Sequence, residues 1–388
     1  MSMFTLIRNA RIYTPEALGI RDMLIVGRYI VKISERIELP ADFEGRIISA
    51  DGKMVVPGLI DLHVHLLGGG GEGGFRTRTP EITLSSIAAA GVTTVVGCLG
   101  TDDVSRRPET LLAKAMQLEE EGISSYIYTG SYQFPLPTIT GSVRKDVALV
   151  PKVVGVGEIA ISDHRSSQPS FEELSRAAAE ARVGGMIGGK AGVVHLHVGN
   201  GSSMLDPMLR IVKETEIPIG QFLPTHLTRT EALLREAIAF AGMGGNIDFT
   251  VGARHLGFAS DVSRAVTMAM EQGIPVERIS LSSDSNGSLP LFDETGKLIR
   301  LAVGDIRNLF TEFCGLVREG IAMEHALKMV TSNPAERVGI FQHKGSLDEG
   351  KDADLVVLGP DLSIESVMAK GRLLVHKGEA LVKGTFED

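Results

Sequence analysis

Runs of Ile, Val and Leu punctuated by Gly, Asn and Pro open and close this chain, and a different texture fills the middle. Residues 3–7, 10–13, 22–26 and 29–33 are short apolar or alternating runs, the pattern of half-buried strands joined by tight turns. Residues 353–358, 367–369, 372–375 and 379–382 repeat that texture at the other end. Chain termini commonly lie close together, so the two ends are expected to pair into one small β-domain. Between them, apolar runs at 54–65, 93–99, 124–132, 152–161, 191–199, 217–226, 246–251 and 278–284 read as strands. Amphipathic stretches intervene, at 107–121, 171–183, 204–215, 231–241 and 263–272.

Strand and helix in alternation, about eight times over, predict an α/β fold: a (β/α)8 TIM-like barrel. The alternative is a doubly wound open sheet, but no G-x-G-x-x-G opens a helix here. The expected organisation is residues 1–53 and 346–388 as the two parts of a small β-sandwich domain, and 54–345 as the barrel.

Length and composition fit that plan. At 388 residues the chain suits one large core with an accessory domain, and its 45 glycines suit many tight turns between repeated units. A net charge of -9 argues against a nucleic-acid scaffold, which needs a basic face. Cys98 and Cys314 both lie in apolar stretches, so no disulfide framework is expected. The first residues lack the apolar run of a signal peptide, and no 18-residue apolar run occurs, so a cytoplasmic protein away from membranes is expected.

The chemistry concentrates at predicted strand ends. In "GLIDLHVHLLGGGGEGG" (58–74), His63 and His65 stand two residues apart on a strand, hence on one face. Two buried imidazoles without partners are costly, and together they suit a divalent metal. His197, His226 and Asp284 end three further strands, so closure of a barrel brings all five to one mouth. His195, two residues before His197, reads as core or as support for a ligand.

That order of ligands, H-x-H on strand one, His on strands five and six and Asp on strand eight, resembles the amidohydrolase superfamily. The motifs "HVHLLGGGGEGG", "RTPE", "TITGSV", "AISDHRS", "LPTHLTR" and "LSSDSNGS", with "GSLDEGKDADLVVL" near the end, resemble the bacterial isoaspartyl (β-aspartyl) dipeptidases more closely. The resemblance spans nearly the whole chain. It implies two divalent ions, zinc first among them, one held by His63, His65 and Asp284 and the other by His197 and His226. It implies hydrolysis of an isoaspartyl amide by a hydroxide shared between the ions, with Asp284 shuttling the proton and Tyr132 donating to the carbonyl oxygen. Glu72 would meet the substrate's α-ammonium, Arg165, Arg229 and Ser288 its carboxylates, and Thr101 would line the pocket. A large homo-oligomer is implied too. The residue chemistry agrees, since such a dipeptide carries two α-carboxylates and one α-ammonium, and arginine grips carboxylates bidentately.

One position departs from the family. Its bridging ligand is usually a carboxylated lysine on strand four, and here "KVVGVGEIAISDHR" offers none at the strand end. Lys152 opens the strand and Lys190 belongs to the approach to strand five. Glu158 is expected to bridge instead, helped by one extra residue that bulges the strand. Glutamate at this strand also occurs in deacetylases, so an N-acyl-amino-acid or N-acetyl-sugar deacetylase is the alternative. A deaminase, or an assembly protein that has lost its metals, fits the retained ligands less well.

Overall fold

In the computed structural model, residues 3–40, 44–252, 261–293 and 295–387 are described. Among them, eight parallel strands alternate with helices: β1 (Leu59–Val64), β2 (Val92–Gly97), β3 (Ser124–Thr129), β4 (Val153–Ile161), β5 (Val193–Val198), β6 (Phe222–Thr225), β7 (Ile247–Thr250) and β8 (Ile279–Ser282). Strands β1 to β6 pair in sequence order into one curled sheet, and β7 pairs with β8. The fold is therefore α/β, a curled parallel sheet with a separate sheet domain. Side chains and one bridge join the two parallel sets. Thr225 on β6 donates to Asp248 on β7 at 2.7 Å, and Val64 at the end of β1 forms a parallel bridge with Ser285 just past β8.

These strands are buried along their whole length, which is why they read as near-continuous apolar runs. The helices pack outside them on apolar faces such as Leu111, Ala115 and Leu118 of Pro108–Glu121. Their starts are locally encoded. Ser170 and Glu173 form a reciprocal capping box on Phe171–Gly188, satisfying two N–H groups the helix cannot.

Both chain ends meet in one nine-stranded sheet. Leu355–Leu358 runs antiparallel to Met54–Pro57, which pairs in turn with Phe4–Tyr13. Its core holds Ile7, Ile12, Met23, Val55, Leu355 and Val357. A buried clamp secures the return of the chain: Lys344 donates to Asp352 and Asp354 at 2.7 Å each, and Arg28 forks onto Asp352.

Two expectations change. The run 54–65 is two strands, divided at Gly58, where a Cβ would strike the Thr93 side chain at 2.3 Å; its first half belongs to the end sheet. The run 217–226 yields a strand only from Phe222, after a 3-10 turn at Ile219–Gln221. The glycine-rich 184–192 is largely helix. Gly184 and Gly185 let it lie against Arg144 and Gly192, where side chains would collide, on the approach to β5 and away from the strand ends that carry the histidines.

Candidate active site

One end of the parallel sheet gathers all six expected ligands. His63 lies within β1 and His65 just past it, and Glu158 within β4. His197 lies near the end of β5, His226 directly after β6 and Asp284 two residues after β8. Glu158 reaches the cluster from a bulge. Val194 pairs with Val156 but Leu196 with Ile159, so Gly157 and Glu158 together oppose His195. Only glycine fits at 157, where φ is 152° and a Cβ would meet the His195 carbonyl at 2.6 Å. His226 and Asp284 take left-handed backbone, φ 63° and 51°, a conformation non-glycine residues adopt mainly where surroundings enforce it.

Glu158 divides its oxygens between two pairs of imidazoles. Oε1 is 3.3 Å from Nε2 of His63 and 3.4 Å from Nε2 of His65; Oε2 is 3.3 Å from Nδ1 of His197 and 3.6 Å from Nε2 of His226. Asp284 Oδ1 lies 3.1 Å from His65 and 3.5 Å from His63. All six residues are buried, yet both Glu158 oxygens and Asp284 Oδ1 have no hydrogen-bond partner. Buried carboxylate oxygens are rarely left so. Lone pairs converging without donors fit a cation, and the groups His63–His65–Cys98–Glu158, Glu158–His197–His226 and His63–His226–Asp284 each have the spacing to hold one.

The surroundings fix which ring nitrogen faces the centre. The Leu223 carbonyl, 3.0 Å from His195 Nδ1, can only accept, so that nitrogen carries the hydrogen. His195 Nε2 then accepts from His63 Nδ1 at 2.8 Å, leaving His63 Nε2 to face Glu158. Nδ1 of His226 sits 2.6 Å from Thr250 Oγ1, above Thr225 and Asp248. His197 is turned the other way, with Nε2 on Asp163 Oδ2 at 2.9 Å and Nδ1 on the Tyr132 hydroxyl at 2.6 Å.

The site's electrostatics call for positive charge at its centre. Burial opposes protonation of His63, but the negative potential of Cys98 and Glu158 outweighs it and holds its pKa well above the usual value. Burial alone would raise Glu158, and the charge of His63 together with the neighbouring His197 and His226 imidazoles holds it well below the carboxylate range. Asp284 falls to about 2 for the same kind of reason, its burial outweighed by His65 and His63. His195 goes the other way: burial, then the charge on His63, pushes it down to about 3, so it stays neutral.

Beside the cluster opens a narrow cleft lined by Glu72, Thr101, Tyr132, Arg165, Arg229 and Ser288, together with His65, His197 and Asp284. Every residue expected from the sequence to bind substrate borders it. Glu72 is the hub: Ser288 donates to it at 2.8 Å, Thr101 at 3.1 Å and Arg165 at 3.3 Å. Ser288 thus meets a carboxylate of the protein itself, and Thr101 does more than line the wall. Arg165 also forks onto Asp163, at 3.0 and 2.8 Å.

The pattern that defines the amidohydrolase family matches residues 54–374. The chain belongs to the amidohydrolase family. Among solved amidohydrolase-fold structures, it is similar to a β-aspartyl dipeptidase from Fervidobacterium islandicum AW-1 in complex with β-Asp-Leu: 42% identity, 98% of each chain covered, TM-score 0.93. A second structure of β-aspartyl dipeptidase from that organism gives 41% identity, 97% and 98% coverage and a TM-score of 0.89. Curated relatives are more distant. A dihydroorotase of Streptococcus pyogenes is 28% identical over 66% of this chain, and the match covers 62% of that protein's length, less than two thirds. One from Anaeromyxobacter dehalogenans is 26% identical over 98% of this chain and 95% of its own. The amidohydrolase family is typically metal-dependent, in keeping with the clusters above.

Three features escaped the sequence reading. Asp163 stands in the quoted "AISDHRS" and orients both His197 and Arg165. Cys98, read as apolar, places its sulfur in a ligand group. A hairpin, Ser288–Phe292 with Leu298–Val303, brings Ser288, Leu289 and Pro290 to the cleft. Its signal was present, two apolar-rich runs separated by "DETGK".

Proposed function

We propose that this chain is a metal-dependent β-aspartyl (isoaspartyl) dipeptidase. The observation that carries this is the 42% identity, over 98% of both chains, with an enzyme of that activity solved with β-Asp-Leu. The cleft's charges support it: Arg165 and Arg229 for two α-carboxylates, Glu72 for one α-ammonium. In this reading His63, His65 and Asp284 would hold one divalent ion and His197 and His226 a second, with Glu158 available to both; zinc would suit the imidazole and carboxylate donors. The unsatisfied oxygens of Glu158 and Asp284 support that assignment.

When bound, such ions supply Lewis acidity, lowering the pKa of water and polarising a carbonyl. The protein's own groups do the rest. Asp284, ionised at neutral pH, takes the proton of the attacking water and returns it to the leaving amine. Tyr132, whose phenol burial and the Glu158 charge keep protonated, donates to the amide oxygen as negative charge develops there. Arg165, Arg229 and Glu72 hold the dipeptide's ends, with Ser288 and Thr101 fixing Glu72 or a substrate carboxylate.

The proposal extends to the whole architecture. The eight parallel strands close as a (β/α)8 barrel, supported by the Val64–Ser285 bridge and the Asp61–Ser283 hydrogen bonds between β1 and the end of β8. Residues 54–345 form this catalytic unit, with 1–53 and 346–388 as a sandwich-like β-domain that also borrows Met54–Pro57. A cytoplasmic homo-oligomer is the accompanying reading. Two free cysteines support the compartment; exposed Leu149, Met186 and Ile187 on two paired helices support the association. Among the described residues no helix is long and apolar enough to cross a membrane.

The test is hydrolysis of β-Asp-Leu beside α-Asp-Leu, with metal counted per chain. Cleavage of the β-linked substrate alone is expected. Preference for N-acetylated amino acids or sugars instead would move the chain to the deacetylases.

A further inference from the structure

We propose that Cys98 is a metal ligand, its thiolate joining His63, His65 and Glu158 around the ion on that side of the carboxylate. The inference rests on the metal-centre reading above and adds a donor to it.

Cys98 follows directly on β2, the neighbour of the strand that carries His63, at the same end of the sheet. Its Sγ, the ring nitrogens of His63 and His65 and a Glu158 oxygen all lie within 4.8 Å of one another. The distances suit a shared ion. Bonds of about 2.0–2.1 Å to nitrogen or oxygen and about 2.3 Å to sulfur, at angles near tetrahedral between these four donors, separate them by about 3.3–3.6 Å. The His63–His65 nitrogens stand 3.4 Å apart, each is within 3.4 Å of Glu158 Oε1, and Sγ is 3.9 Å from Nε2 of His65. A small rotation of the thiol closes that last gap.

A buried cysteine is by default a small hydrophobe. Two observations set this one apart. Its sulfur borders a polar cage, and its contacts there are long, 3.8 Å to the Val64 carbonyl and 3.9 Å to His65. Independently, Glu158, the carboxylate in the same quartet, is 1% exposed and has no hydrogen-bond partner at either oxygen. Gly100 keeps the space clear, since a Cβ there would lie 2.8 Å from the His65 ring and 3.4 Å from Glu158 Oε1. On ligation the thiol loses its proton to solvent and sulfur donates a lone pair to the cation. A thiolate donor biases the site toward zinc, cobalt or iron and against magnesium or manganese.

The experiment loads the full-length protein with cobalt(II) and records absorption while cobalt is counted per chain. A sulfur-to-cobalt charge-transfer band in the near ultraviolet is expected, retained in Cys314→Ser and lost in Cys98→Ser. Cobalt bound without that band, or a band that survives Cys98→Ser, overturns the ligand assignment and leaves the metal centre intact. A chain that binds no divalent metal overturns both. Should Cys98→Ser not fold, X-ray absorption on the zinc-loaded wild type decides: a sulfur scatterer at about 2.3 Å supports the assignment and a shell of nitrogen and oxygen alone refutes it.

Discussion

Asp163 Oδ2 lies 2.9 Å from Nε2 of His197, on the opposite side of the ring from Glu158. This contact turns His197 against the habit of His63 and His226, which present Nε2 to the centre. Asp163 is held ionised: its burial is outweighed by His197 and Arg165, which keep its pKa well below the usual range. Removing a carboxylate behind a ligating histidine typically costs ~10–100-fold in metal affinity. Asp163→Ala is expected to weaken one of the two proposed ions by that factor and leave the other, as read by chelator competition. Unchanged affinity at both would reduce Asp163 to a partner of Arg165 alone.

The same geometry bears on carbon dioxide. Neither candidate lysine is at the centre: Lys152 bonds Glu119 and the Ser125 carbonyl, and Lys190 the Val150 carbonyl. Stripped protein should therefore regain full activity with zinc in bicarbonate-free buffer, and Glu158→Gln should lose both the activity and most of the metal. Recovery only after bicarbonate is added would mean that a carboxylated lysine, not Glu158, spans the ions.

Glu72 offers a cleaner probe of specificity, because it touches the cleft and none of the metal ligands. A hydrogen bond to a charged group is worth ~1.5–3 kcal/mol, so Glu72→Gln should lower kcat/KM for β-Asp-Leu by roughly 10–100-fold. The loss should disappear for the analogue lacking the α-amino group. Equal losses on both substrates would show that Glu72 only holds Arg165 and Ser288 in place.

How far the sequence carried can be argued from particular residues. Period and punctuation sufficed for the parallel strands, since each is a buried apolar run between turn signals, and the strand-end histidines followed from the i, i+2 rule. What failed to show was set by distant backbone. Gly58 divides a run that looks continuous, its first half pairing into the end sheet and its second into the parallel sheet. Asp163 bonds Arg165 two residues on, but it and Cys98 meet the histidines only when β4 and β2 are laid beside β5 and β1. The bulge at Gly157 was legible as an extra residue, but the division of Glu158's oxygens between two histidine pairs required the fold.

The joint between the parallel sheet and the end domain yields a pH prediction. Glu119, near the end of the helix Pro108–Glu121, accepts from Lys370 of the end sheet's turn at 2.6 Å and from Lys152 at 3.0 Å. Burial alone would raise its pKa, but the Lys370 hydrogen bond and the Lys152 charge outweigh it and bring it down from 4.5 to about 2. A carboxylate depressed on folding stabilises the native state above its unfolded pKa, and that contribution is lost as pH falls toward the folded value. The side chain is 38% exposed, so solvent screening cuts the contribution to about 1 kcal/mol. Glu119→Gln should accordingly lower the urea midpoint by a constant amount above about pH 5, and the gap from wild type should close between about pH 4.5 and about pH 2. A gap that persists undiminished in acid would mean that Glu119 contributes through packing and neutral hydrogen bonds, with the two lysine charges playing no part.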